Sequence, residues 1–168
     1  MNFPGEKDFT FSPQDYWAKY EALRGEGEHL RLGVELGMQD GLAKKNRAFV
    51  EEAPFDQVIG SIHTIKGHDL YYADIYKDRA KDDLYRLYLE TMAHCVRSQG
   101  AFIDILAHID YIARYAAYSD TELTYAAYGD YIDEVLRALV ETDTVLELNT
   151  RRFDAPQGKA SLVPIFRR

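Results

Sequence analysis

Phe55-Asp56-Gln57-Val58-Ile59-Gly60-Ser61-Ile62-His63 decides how the 168-residue chain is read. Gln57 aside, it is a nearly continuous apolar stretch, and it closes on two polar side chains, Ser61 and His63. A short run that is apolar on both sides reads as a strand buried within a parallel sheet. The same kind of run recurs at Leu30 to Leu36, punctuated by Gly33 and Gly37, at Ile103 to Ile109, and at Thr144 to Asn149.

Helical patterns separate these runs. Ser12-Pro13-Gln14-Asp15 opens the first: Ser12 caps, Pro13 suits the first turn, and Asp15 stands where a capping box puts its acid. Tyr16, Trp17, Tyr20 and Leu23 follow at helical spacing, up to Gly25. Leu42 to Ala53 is rich in helix formers. Lys81 to Ser98 is the strongest helix, with Leu84, Leu87, Tyr88, Thr91, Met92 and Cys95 on one face. Tyr131, Ile132, Val135, Leu136, Leu139 and Val140 mark another. Gly67 to Asp78 reads as a long loop rich in Tyr and Asp. Strands alternate with helices four times, the pattern of an α/β fold with parallel strands and flanking helices. No repeat or flexible linker divides the chain, so residues 1–168 are expected to form one domain.

Composition narrows the functional classes. A formal charge of -8, without a basic block, argues against a DNA or RNA partner. The single cysteine, Cys95, rules out a disulfide framework within the chain and suits a reducing cytoplasm. No apolar run approaches the roughly 18–20 residues of a membrane helix, and Met1 to Asp8 lacks the features of a signal peptide. Four strands do not close a barrel, and a closed eight-stranded one takes about 250 residues. The expectation is therefore a small open sheet or part of a larger barrel. Self-association is one way to cover the open edges.

Side chains alternate across a strand. Glu35 opposes Val34 and Leu36, Ser61 and His63 share a face, and His108 shares a face with Leu106. Glu147 and Asn149 oppose the neighbouring leucines. Each strand thus carries a polar residue near its C-terminal end, where parallel α/β folds bind ligands. A lone histidine there is more often a satisfied hydrogen-bond partner. Three groups converging, Glu35, His63 and His108, make a first coordination shell, because a buried carboxylate or imidazole is costly unless paired or metal-bound. Imidazole with carboxylate suits zinc, manganese or iron.

The residues also resemble a known family. Gly33-Val34-Glu35-Leu36-Gly37, the Phe55–His63 run, Asp104-Ile105-Leu106-Ala107-His108-Ile109-Asp110-Tyr111-Ile112-Ala113-Arg114-Tyr115 and Leu146-Glu147-Leu148-Asn149-Thr150-Arg151-Arg152-Phe153 look like the middle of a histidinol-phosphatase of the polymerase-and-histidinol-phosphatase (PHP) superfamily. Tyr71-Tyr72 fits the same pattern, and the likeness runs from about residue 30 to the end. It implies a distorted TIM-like (β/α)7 barrel with up to three divalent ions at its rim. Glu35, His63 and His108 fall on family metal-ligand positions. Arg114 resembles an arginine near the substrate phosphate, with Arg151 or Arg152 as a second. Glu147 is expected either to orient a ligand from behind or to pair with an arginine, and Asn149 and Asp110 have similar standing. The implied reaction is hydrolysis of the phosphate ester L-histidinol phosphate in histidine biosynthesis.

The family also has a His-x-His strand before this region and a Ser-Asp-x-His strand after it. Neither motif is in the sequence, so the expectation is the central part of the barrel without its N-terminal and C-terminal strands. Two alternatives stand beside the phosphatase: a non-catalytic piece keeping a remnant metal or anion site, and a relative acting on nucleotides. Of the other residues, His29 reads as solvated and His94 as surface. Cys95 reads as core, and the tyrosines from Tyr111 to Tyr131 read mostly as packing, with a wall of the substrate site as the lesser alternative. His68 lies in the loop after His63 and reads as solvated, with contact to a substrate as the lesser alternative.

Overall fold

The computed structural model describes residues 11–24 and 30–149. Its elements are, in chain order, α1 (Pro13–Tyr20), β1 (Gly33–Gly37), α2 (Ala43–Glu51), β2 (Gln57–Ser61), β3 (Thr64–Ile65), β4 (His68–Asp69), α3 (Lys81–Gln99), β5 (Ile105–Leu106), α4 (Tyr111–Tyr115), α5 (Tyr125–Thr142) and β6 (Val145–Leu146). Short 3-10 turns lie at Glu21–Arg24, Ala73–Tyr76 and Gly100–Phe102. Ser12 caps α1 as its sequence suggests, accepting the Asp15 backbone N–H at 3.2 Å.

β1, β2, β5 and β6 form one parallel sheet and stand in it in chain order. Each crossover therefore steps the same way. The right-handed rule for such crossovers puts their helices α2, α3 and α5 on one side of the sheet. This one-sidedness shows in the burial. Val34 and Leu36 in β1, Val58 in β2 and Leu106 in β5 are buried with the inner stripes of α3 and α5. Pairing aligns Glu35, Ile59, Ile105 and Val145 in a single row, and that row is at most half-buried. Val145 is 61% exposed. The expectation of strands covered on both faces is corrected here for the described residues: the second face is open, as the inner wall of a barrel arc would be.

Two aspartates staple the start of the sheet. Asp56, just before β2, accepts the Leu32 backbone N–H at 2.8 Å and pairs with Arg24 and Arg31. The Leu32 N–H, more than either arginine, holds its carboxyl below the usual range. Asp104, just before β5, accepts the Val58 backbone N–H at 2.7 Å. Each carboxylate thus binds a strand start to its neighbour. Gly60 in β2 is required by close approach, since a Cβ there would lie 2.8 Å from Ile103 Cδ1 and 2.9 Å from Met38 Sδ.

The predicted loop from Gly67 to Asp78 contains structure. β3 and β4 pair antiparallel across Lys66 and Gly67, whose φ values of 49° and 81° match a two-residue hairpin turn with both central residues left-handed. Two-residue strands carry no readable periodicity, so the pattern misses them. On α3 the buried stripe includes Tyr85 and Leu89 in place of Leu87 and Thr91, which are half-buried. α5 closes on both sides of a kink at Tyr128, whose hydroxyl donates to Asp82 at 2.7 Å. Cys95 is buried as expected, and burial pushes its thiol up to about 12.

A one-sided sheet has an energetic signature. Leu106→Ala should cost about 2–5 kcal/mol in urea unfolding, and Val145→Ala on the open face should stay within about 0.5 kcal/mol. Comparable losses at the two positions would contradict the assignment of faces.

Candidate metal centre

Three separate βα units bring their polar side chains to one point at the C-terminal mouth of the sheet. Glu35 projects from β1 on the open face, and His63 follows β2. His63 Nε2 lies 3.4 Å from Glu35 Oε1 and 2.9 Å from His108 Nε2. His108 Nε2 lies 3.7 Å from the same Glu35 oxygen. The two imidazole planes are within 4° of parallel, with centroids 5.1 Å apart.

His108 reaches this point by leaving the strand pattern. Its parity with Leu106 would turn it toward the helices, away from Glu35. β5 ends at Leu106, however, and His108 has φ 31°. Left-handed backbone costs an L-residue about 1–2 kcal/mol. It is held by a carboxylate from the next strand. Glu147 Oε2 accepts the His108 backbone N–H at 2.6 Å and lies 3.6 Å from Nδ1. The second distance is electrostatic contact, beyond hydrogen-bond length. A negative charge beside Nδ1 favours the proton there and leaves the Nε2 lone pair facing the cluster.

The donor set fits a divalent ion. Donor atoms about 2.0–2.2 Å from one tetrahedral ion stand roughly 3.3–3.6 Å from each other, and the three contacts here bracket that spacing. Burial lowers the pKa of both histidines, against the opposing pull of Glu35. Neutral imidazole is the form that binds metal. His63, His108 and Glu35 form the group of histidine, cysteine and acidic side chains whose donor atoms all fall within 4.8 Å of one another among the described residues.

The other expected residues divide. Arg114, on α4, is half-buried, and its positive charge adds to the lowering of both imidazoles. It forms no ion pair among the described residues and stands 5.8 Å from the Tyr111 ring centroid. Asp110 is 2% exposed, and neither carboxylate oxygen has a hydrogen-bond partner among the described residues. Asn149 is half-buried two residues beyond Glu147. Arg151, Arg152 and His29 lie outside the described residues. His68 pairs with Asp74 at 3.6 Å, and His94 with Asp40 at 3.5 Å, both away from the cluster. Tyr111, expected as packing, covers the site: its ring centroid is 4.4 Å from that of His63 and 5.2 Å from that of His108. The lesser of the two sequence readings, a wall of the site, is the one its position matches.

Comparison with known proteins gives the family of this fold. The PHP domain family matches residues 3–151. A probable histidinol-phosphatase of Clostridium acetobutylicum is 42% identical over 168 residues, which is 100% of this chain and 65% of that protein. The histidinol-phosphatase of Lactococcus lactis is 31% identical over 159 residues, 92% of this chain and 58% of its own length. A crystal structure of histidinol phosphate phosphatase from L. lactis, complexed with zinc, L-histidinol and phosphate, superposes with a TM-score of 0.81 at 31% identity, covering 93% of this chain and 60% of that one. The chain therefore spans about three fifths of the length of the proteins it resembles.

Metal content tests the donor set. His63→Ala and His108→Ala should each lose most of the zinc that the wild-type chain retains after dialysis, while His94→Ala keeps it. Glu147→Ala should weaken zinc binding about 10–100-fold. Undiminished metal in both cluster-histidine variants would remove the assignment.

Proposed function

The chain belongs to the PHP domain family, and from that premise we propose that it is a metal-dependent phosphomonoesterase acting on L-histidinol phosphate. One observation carries the proposal: the Glu35, His63 and His108 donor atoms meet at 2.9–3.7 Å, at the end of the sheet where α/β folds bind ligands. Similarity to two histidinol-phosphatases supports the substrate.

Each residue has a role in this proposal. Glu35, His63 and His108 hold a divalent ion, zinc, manganese or iron. When bound, such an ion supplies Lewis-acid polarisation of a phosphoryl oxygen and acidifies water. Arg114 takes the phosphate oxygens, for which a planar guanidinium offers paired donors. A phosphate monoester carries about 1.5 to 2 negative charges near neutral pH. In a chain of net charge -8, that anion needs a local positive field. Glu147 holds the His108 turn and its tautomer. Tyr111 walls one side of the two imidazoles and limits water there. Arg151 or Arg152 is proposed as a second phosphate contact, and Asp110 and Asn149 as supports.

The test is phosphate release from L-histidinol phosphate by the pure protein with manganese or zinc, beside nucleoside monophosphates. The expected outcome is metal-dependent release from histidinol phosphate, with kcat/KM reduced about 10–100-fold in Arg114→Ala. Faster turnover of the nucleotides would shift the assignment to a nucleotide phosphatase. No release from any ester by folded, metal-loaded protein would favour the non-catalytic alternative.

A further inference from the structure

Tyr71 and Tyr72 are 59% and 46% exposed, a poor use of two aromatic rings if packing were their purpose. They follow the β3–β4 hairpin directly. The Tyr71 backbone N–H donates to Asp69 Oδ1 at 2.8 Å, a local turn that fixes where the ring projects. Tyr71 meets the Tyr115 ring at 5.1 Å in an edge contact and the Tyr72 ring at 5.3 Å. Tyr115 lies 5.2 Å from Tyr111, and Tyr111 lies 4.4 Å from His63. Ring follows ring from the metal-ligand histidine to the open rim.

The ladder joins two kinds of chemistry. Its inner end, Tyr111, stands beside Arg114 and the imidazoles, where the phosphate is proposed to sit. Its outer end offers aromatic faces to solvent, with the carboxylates of Asp69 and Asp74 on the same rim segment. Aromatic faces favour rings in offset or edge contact and also favour cations. An ester anchored by its phosphate at the inner end lays its alcohol portion along the outer rings.

We propose that Tyr71 and Tyr115 are specificity-determining residues, forming a platform for the ring of a heteroaromatic, cation-bearing alcohol whose phosphate is held at the Glu35–His63–His108 cluster. The proposal deepens the phosphatase reading and rests on it for the position of the phosphate. It accounts for a rim that is aromatic and acidic beside a cluster that must attract an anion. Tyr111 keeps the imidazoles in place, while Tyr71 and Tyr115 meet the part of the substrate that differs between phosphate esters.

Two measurements separate this from the phosphatase reading. The first is the ratio of kcat/KM for L-histidinol phosphate over phosphoethanolamine, which keeps the phosphate and the ammonium but lacks the ring. In Tyr71→Ala and Tyr115→Ala the ratio should fall about tenfold through KM, and Tyr71→Phe should restore it. An unchanged ratio, or a loss shared equally by both esters, overturns the platform. The second is binding of L-histidinol alone to the zinc-loaded full chain by saturation-transfer NMR, which needs no turnover. Binding by wild type and Tyr71→Phe but not by Tyr71→Ala supports the platform even where phosphate release fails. Equal binding by all three, or none by wild type, overturns it.

Discussion

The site depends on the backbone at His108. The strand ends two residues earlier, and a left-handed turn swings the imidazole from the helix-covered face into the mouth of the sheet. The Glu147 carboxylate, one strand further on, accepts the N–H of that turn. This hydrogen bond offsets part of the strain of the turn, whose carbonyl also accepts the Tyr111 N–H at 2.8 Å, and the turn carries the imidazole to its 2.9 Å approach to His63. The candidate metal centre is thus set by a contact between β5 and β6 strand ends as much as by its donor atoms. The two aspartate staples at the opposite end tie β1 to β2 and β2 to β5, which sets the register of the three units that carry Glu35, His63 and His108.

Much of this was legible in the sequence, for identifiable reasons. Glu35 alternates with Val34 and Leu36, and alternation is a local property that survives folding. His63 closes an apolar run, which reports burial and a strand end together. His108 was found for the right position by reasoning that fails in detail: parity places it on the wrong face, and a positive φ on a histidine leaves no mark in the sequence. Glu147 was picked for its face, but its partner, a backbone N–H 39 residues away, is a tertiary fact. The open face of the sheet was not legible, because it follows from strand order, which single runs do not encode. The β3–β4 hairpin escaped because two residues per strand cannot show a period, although Lys66-Gly67 is a turn pair once the hairpin is seen.

The chemistry follows from where water is excluded. Burial disfavours the imidazolium and readies both histidines as neutral donors, while Glu35 stays half-exposed on the open face. One carboxylate between two neutral imidazoles gives a centre whose charge suits a dication. Arg114 stands close enough to be felt by both imidazoles and forms no ion pair among the described residues. In the proposed site an acidic chain thus presents a local positive charge to an anion where the described helix–strand units converge. The aromatic ladder then leads from that spot to an aromatic and acidic rim.

X-ray absorption at the zinc edge of the metal-loaded chain tests the central point most directly. Two imidazole nitrogens at about 2.0–2.1 Å with a carboxylate oxygen at about 2.0–2.2 Å are expected, and one imidazole contribution should be lost in His108→Ala. A spectrum without imidazole scattering, or one identical in wild type and His108→Ala, would contradict a shared ion at Glu35, His63 and His108.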